Sequence, residues 1–311
     1  MEEVKRADQT HQSSSKKIVI PACDLLGIGL SVLDHSLFLK SHPQSDEKTT
    51  ALNSFETIGG PACVGTLCAN RLGLRTALIS AIGQDSAADF ICSYQDKFTN
   101  HNFIPLRSDK SAHATILVKD NGERSVIASL PQKVQSSHYH VQHVPKYILL
   151  DGRYIDECYD LIMLLKDRGS QIILDAGSAN PGILKMLPHA HILISSQKFA
   201  LDYTKKTCAN EALSEIKKTH TQIIITTGEK GSLYYLDGQT GAIIANKIKA
   251  VNSNGAGDIF HGAFIAALAG EKNSLESAKI ASQIAGWHCT QSSVEQTLQC
   301  LGKNLSLESF L

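Results

Sequence analysis

The sequence predicts an α/β protein: a parallel sheet covered on both faces by helices, with a small β lid. Three observations carry that expectation. Four short apolar runs (147–151, 171–175, 191–194 and 222–226) alternate with helical segments (155–168, 181–187 and 209–218). Strands that are apolar on both faces need helices on both sides. Near the C-terminus, the polar stretch Val251-Asn252-Ser253-Asn254-Gly255-Ala256-Gly257-Asp258 turns at once into an alanine-rich apolar helix. Finally, 113–120 and 123–130 alternate in hydrophobicity around Asn121-Gly122, a strong hairpin signal.

The composition is that of a globular protein. With 311 residues, 42% hydrophobic and 19% charged, the chain is long enough for one large α/β domain. Thirty basic residues balance thirty acidic ones, so no net field favours nucleic acid or an anionic membrane. No apolar run reaches the roughly 18 residues of a membrane span. Residues 1–17 are polar and carry no apolar core, unlike a secretory signal. Residues 1–16 are therefore expected to be a disordered tail, and 17–311 one domain. Eight cysteines are scattered through apolar segments without a C-x-x-C pair, the pattern of reduced, buried thiols in a cytoplasmic protein. His138, His140 and His143 fall in a polar loop without a carboxylate or cysteine cluster. They read as solvated, and no metal-ligating set is expected.

Taken in order, the first strand material is 18–20 and 25–29. Asp34 follows soon after, at the carboxyl edge where open α/β sheets bind ligands; a turn aspartate is the alternative. Stretches 35–40 and 49–58 alternate between polar turns, so lid strands are expected within about 35–58 and 112–130. Gly59-Gly60 opens a small-residue helix that ends at Gly73. The glycines let a ligand touch backbone, and the small residues let the helix approach the sheet. A strand at 76–82 leads through Gly83-Gln84-Asp85 into a helix reaching about 98. The strand ends Asp151-Gly152-Arg153 and Asp175-Ala176-Gly177 put polar side chains on the binding edge. Arg153 suits an anionic substituent or a surface salt bridge. Thr226-Thr227-Gly228-Glu229-Lys230-Gly231-Ser232 reads as strand, turn, strand: a nucleotide loop or a plain hairpin turn. A helix is expected over 274–286.

The organising stretch is 251–264. Gly255, Ala256 and Gly257 leave the backbone almost bare, so several N–H groups converge on one anion at a helix start. Asp258 is out of place there unless it has a task, because a carboxylate repels the anion. The natural task is to take a proton from an attacking hydroxyl. Anion cradle plus base is the layout for moving a phosphoryl group onto an alcohol. The plain alternative is a helix start capped by Asp258.

Asn252-Ser253-Asn254-Gly255-Ala256-Gly257-Asp258-Ile259-Phe260-His261-Gly262-Ala263 resembles the C-terminal signature of the PfkB (ribokinase-like) carbohydrate and nucleoside kinases. Gly59-Gly60 with the helix after it is similar to that family's N-terminal signature, Gly-Gly-x-x-x-Asn. The likeness spans about 18–289 and, at Asp151-Gly152-Arg153, is nearest to the ketohexokinase and sulfofructose kinase branch. It implies a Rossmann-like α/β/α sandwich (ribokinase-like) with a small β-sheet lid, and an ATP-dependent carbohydrate kinase, a phosphotransferase whose acceptor is an alcohol. By the same resemblance Asp258 is the catalytic base, and Gly255, Ala256 and Gly257 form the anion hole. Asp34, Gly59, Gly60, Cys63 and Arg153 would hold the sugar, with the Cys63 thiol in the asparagine place. Thr226, Gly228, Gly231, Ser253 and Ser282 would hold the nucleotide. ATP and Mg2+ are the implied cofactors, and the lid can mediate a homodimer.

Several positions depart from the family pattern. Ser195-Ser196-Gln197-Lys198-Phe199 lacks the Asn-x-x-Glu tied to magnesium and phosphate. Asn252 stands where aspartate is usual, and 290–294 lacks the glycine-rich turn that helps bind a monovalent cation, so potassium activation is not expected. A nucleoside kinase of the same fold, or a catalytically weak sugar- or nucleotide-binding regulator, remains the alternative reading.

Overall fold

The computed structural model describes residues 17–119, 124–303 and 305–310. The expected tail (1–16) and the Asn121-Gly122 turn lie outside them. In chain order the strands are β1 (Ile18–Ile20), β2 (Leu25–Ile28), β3 (Val32–Leu39), β4 (Asn53–Gly59), β5 (Thr76–Ile82), β6 (His101–Arg107), β7 (Ala112–Lys119), β8 (Arg124–Ser129), β9 (Tyr139–Val141), β10 (Tyr147–Leu150), β11 (Gln171–Ala176), β12 (Ile192–Ser196), β13 (Ile223–Thr226), β14 (Ser232–Leu236) and β15 (Gln239–Ile243). The helices are α1 (Pro61–Arg71), α2 (Ser86–Gln95), α3 (Ile155–Asp167), α4 (Pro181–Met186), α5 (Gln197–Thr204), α6 (Ala209–Ile216), α7 (Ala256–Ala269), α8 (Ser274–His288) and α9 (Val294–Cys300).

The main sheet has nine strands in the order β15-β14-β13-β12-β11-β10-β2-β5-β6. It is parallel from β13 to β6 and antiparallel through β14 and β15. Alternate side chains of each central strand feed two different cores. Leu149, Ile173, Ile194 and Ile224 pack under α1, α7 and α8. Ile148, Leu150, Ile172, Leu174, Leu193, Ile223 and Ile225 pack under α3, α5 and α6. This is why those four runs read as continuously apolar: each residue faces one core or the other. The chain starts at β2, builds outward to β5 and β6, then returns to β10 and builds the other way. The switch point therefore lies between β2 and β10, where a crevice opens beyond the strands' carboxyl ends.

A second sheet, in the order β4-β3-β7-β8, carries the segments read as lid. Several expectations need correction. Asp34 is the third residue of β3 rather than part of a turn, because that strand begins at Val32. β1 does not enter the main sheet; it pairs parallel with β9, inside the stretch read as a histidine-bearing loop, though His138, His140 and His143 are exposed. α2 ends at Gln95 rather than near 98. Cys23, Cys63, Cys68 and Cys158 are buried, whereas Cys208 is exposed. Among the described residues, no helix is long and apolar enough to cross a membrane.

Candidate active site

The crevice is closed on one side by α7 and on the other by the four-stranded sheet. Gly255, at φ 81, caps α7, and no side chain bonds to the helix's first N–H groups. Ala256 N bonds back into the loop, and the Gly257 and Asp258 donors, which have no partner within the helix, are left for an anion. Asp258 sits inside the first turn rather than at the cap, so the reading of it as a helix cap does not fit. Its carboxyl is pushed up by burial and by Asp175, Asp34 and Asp151, while His261 pulls it down. Ser253 is exposed, and its carbonyl accepts from Ala256 N at 3.3 Å.

Four helix-side hydrogen bonds fix this loop. Val251 N and Asn252 N donate to Cys289 O at 2.8 and 3.1 Å. The Asn252 carboxamide donates to Ser292 O at 2.9 Å and accepts from Asn254 N at 2.8 Å. The fully buried His288 lies 2.7 Å from both Asn254 O and Thr297 Oγ1. A carbonyl can only accept, so Nε2 carries the proton and Nδ1 accepts from the threonine.

From the four-stranded sheet, Asp34 reaches the crevice on β3, opposite Thr57 of β4 and Ala114 of β7. Burial raises its carboxyl to about 7. A side chain at Gly59 would collide with the Asp34 carboxylate, and one at Gly60 with Leu30 O. The glycine pair is therefore required by close approach. The Thr57 hydroxyl, also buried, has no partner among the described residues.

Asp151, at the end of β10, spans the switch point. Its carboxylate accepts from Leu30 N at 2.8 Å, Ala62 N at 3.2 Å and Arg153 N at 3.0 Å. Burial pushes its pKa up against those three bonds and the Arg153 charge. Asp175, at the end of β11, is pushed up by burial and by Asp151.

Counted strictly, Gly-Gly-x-x-x-Asn ends on Val64, which is buried in the core. Cys63 is the neighbour that meets polar groups: Gln95 Nε2 lies 3.2 Å from its sulfur and 3.4 Å from Ser31 Oγ. Burial raises the thiol to about 12, so it is a neutral wall. Ser31 N in turn donates to Ser80 Oγ at 2.8 Å.

Farther along the main sheet, β13 and β14 flank a turn at Gly228–Lys230. A side chain at Gly228 would meet open space, but one at Gly231 would run into Ile243 O. Gly231 thus serves chain packing, and Gly228 lies open to a ligand. Thr226 Oγ1 donates to Ser195 O at 3.2 Å. Ser282 lines a cavity of about 270 Å³ with Ile243, Ile244, Asn246 and Lys279. In the departure segment, Ser196 caps α5, accepting from Phe199 N at 3.0 Å and donating to Gly177 O at 2.8 Å.

The structure thus brings Asp34, Gly59, Gly60, Cys63 and Asp258 to one crevice. Sequence reasoning missed Gln95, His261 and His288. Each is a polar residue on an apolar helix that meets its partner 32, 86 and 34 residues away, respectively, which leaves no local signal.

A model of the pfkB family of carbohydrate kinases matches residues 24–299. A ribokinase of Dictyostelium discoideum is 26% identical, over 86% of this chain and 95% of its own. A ketohexokinase of Mus musculus is 21% identical, over 85% and 95%. Among solved structures, Arabidopsis thaliana ribokinase complexed with ribose and ATP has a TM-score of 0.77 at 19% identity, covering 93% of this chain and 98% of that one. That likeness establishes the ribokinase-like fold.

Proposed function

The chain belongs to the pfkB family of carbohydrate kinases, and we propose that Asp258 is the base of its phosphoryl transfer from ATP to a sugar hydroxyl. The observation that carries this reading is a carboxylate inside the first turn of a helix whose N–H groups no side chain caps. The acceptor hydroxyl would lie between Asp258 and the Gly255–Gly257 backbone. As its oxygen attacks, Asp258 takes the proton, and the amides receive the charge that develops on the transferring group. Asp34 would accept hydrogen bonds from sugar hydroxyls, the Gly59 and Gly60 backbone would line the sugar's edge, and Cys63 would form a neutral wall. Arg153 stands at the rim, where it suits an electron-rich substituent.

The nucleotide would take the opposite end: the 270 Å³ cavity beside Ser282 is large enough to admit a base, and Thr226, Gly228 and Ser253 would meet the rest of it. Magnesium is the expected companion of ATP. The 195–199 segment offers it no carboxylate, and Ser196 is engaged in capping α5, so protein ligation from that segment does not fit, and no step here depends on it. Val126 and Ile127, exposed on β8, support a homodimer formed through the lid.

The test is ATP consumption with magnesium across ketoses, aldoses, sugar phosphates, sulfosugars and nucleosides, with Asp258→Asn alongside wild type. Turnover of one sugar, lost in the variant while binding persists, supports the reading. Turnover of nucleosides alone would move the acceptor assignment, and undiminished activity of the variant would remove Asp258 from the role of base.

A further inference from the structure

The ring of His261 is surrounded by oxygen. It lies one turn after Asp258 on α7 and is 5% exposed. Its Nδ1 is 2.6 Å from Gly257 O. Its Nε2 is 3.5 Å from Asp175 Oδ1, and the Ile194 carbonyl lies beside the ring. A carbonyl only accepts, so Nδ1 carries a proton. In a neutral ring, Nε2 would then be a lone pair facing Asp175, satisfied only if that carboxyl carried the proton in its place. No other donor reaches it among the described residues. Such a buried, unpaired acceptor is costly, and a second ring proton turns the conflict into an ion pair. Burial disfavours charge on this ring and outweighs the Gly257 and Ile194 carbonyls and the Asp258 charge; direct pairing with the equally buried Asp175 carboxylate is what would offset it.

We propose that His261 is held as an imidazolium paired with Asp175, and that the pair acts as a positioning unit that leaves Asp258 ionised. The inference rests on the reading of Asp258 as base. The charges facing this point come from every wall: Asp258 on α7, Asp175 at the end of β11, Asp151 and Arg153 after β10, Asp34 from β3, and the neutral Cys63 thiol of α1. Asp151 is compensated by three N–H groups and Arg153, and Asp34 is left for the acceptor. Without a cation at His261, Asp175 and Asp258 would compete for one proton, as paired carboxylates do. With it, the proton stays on the ring and the His261–Asp175 pair is net neutral.

The bond to Gly257 O adds a second effect. That carbonyl belongs to the same planar peptide as the Asp258 N–H. A cationic donor on its oxygen polarises the peptide and strengthens the N–H as an anion donor.

Histidine-ring 15N NMR of the full chain between pH 6 and 9 tests the charge directly, with the His261 signals assigned by their loss in His261→Gln. Both ring nitrogens are expected to be protonated across that range, and a bare imine nitrogen at neutral pH overturns the proposal. In Asp175→Asn the ring should lose its second proton at neutral pH. This near-isosteric variant carries the test if His261→Gln does not fold, and a ring that stays doubly protonated overturns it.

The kinetic arm is the acid limb of kcat/KM. His261→Gln should move it by about one unit to higher pH, and adding Asp175→Asn should bring it back. An unmoved limb, or no return in the double variant, overturns the positioning role. Failure of the base reading shows separately, as an active Asp258→Asn, and leaves the NMR result to stand on its own.

Discussion

The two halves of the crevice are built from different material. The acceptor half is a set of interlocked side chains: Asp151, Cys63, Gln95, Ser31 and Ser80 are each at most 7% exposed, and most are bonded to one another or to nearby backbone. The nucleotide half is mostly bare backbone and shape, with open space above Gly228 and Gly257 and an exposed Lys279 at its cavity. Buried polar networks specify one arrangement and tolerate little change. Backbone donors and cavities accept any side chain that keeps the chain path. The acceptor half should therefore respond sharply to isosteric changes that the nucleotide half barely registers.

The largest test lies where the halves meet. Asp258→Asn should lower kcat by about 10²- to 10⁴-fold while nucleotide affinity, read by calorimetry, stays near wild type. Loss of nucleotide binding would mean that the residue belongs to the nucleotide half.

Next comes Asp34→Asn, which should raise the acceptor KM roughly 10- to 100-fold, the worth of a hydrogen bond to a charged group, without changing the KM for ATP. It has an opposite effect on stability. Asp34's folded pKa is raised to about 7, so the native state holds a proton that the unfolded state releases between about pH 4 and 7. Stability is then lost as pH rises through that window. Asp34→Asn should accordingly raise Tm at pH 8 and leave it unchanged at pH 4. A variant less stable at pH 8 would show that the carboxylate is compensated.

Within the nucleotide half, Gly231→Ala should destabilise the fold by about 1–3 kcal/mol, because φ is 94 and Ile243 O blocks the side chain. Gly228→Ala should cost less in stability and should act mainly on the KM for ATP. Chemical denaturation separates the two, and equal losses would erase the distinction between a packing glycine and a ligand glycine. The smallest effect is expected at Ser282→Ala, with the KM for ATP within about threefold of wild type, the scale of a weak neutral hydrogen bond. Potassium should change the rate no more than sodium does, since the Asn252 carboxamide already ties its loop to Ser292.

How much of this could be read beforehand follows from the same physics. The strands β10 to β13 were legible because burial on both faces leaves an unbroken apolar run. The anion loop was legible because bare backbone before a helix needs glycine in consecutive places. β6 was missed because its sequence, HNFIPLR, holds polar residues and a proline, as an edge strand can. Asp34's place in β3 was blurred because Asp34-His35-Ser36 is a polar run that breaks the strand's apolar pattern, VLDHSLFL. The asparagine place was set at Cys63, one residue short of Val64 where the spacing puts it, and only the fold shows that Cys63 is the one that meets polar groups. His261 and His288 had no readable signature at all. Their roles are set by carbonyls that only the folded chain brings to them.

Asp151 holds a further consequence, in the timing of synthesis. Its carboxylate fastens Leu30 and Ala62, 121 and 89 residues earlier, and β10, which delivers it, lies beside β2 in the sheet. A chain emerging from the ribosome carries the lid strands and the glycine pair well before that carboxylate leaves the exit tunnel. Until then, Leu30 and Ala62 lack the acceptor that secures them, and β2 lacks its neighbour β10. The crevice is thus finished only once the second half of the chain closes on the first, so a nascent fragment ending before residue 151 has a lid with no anchored site beneath it.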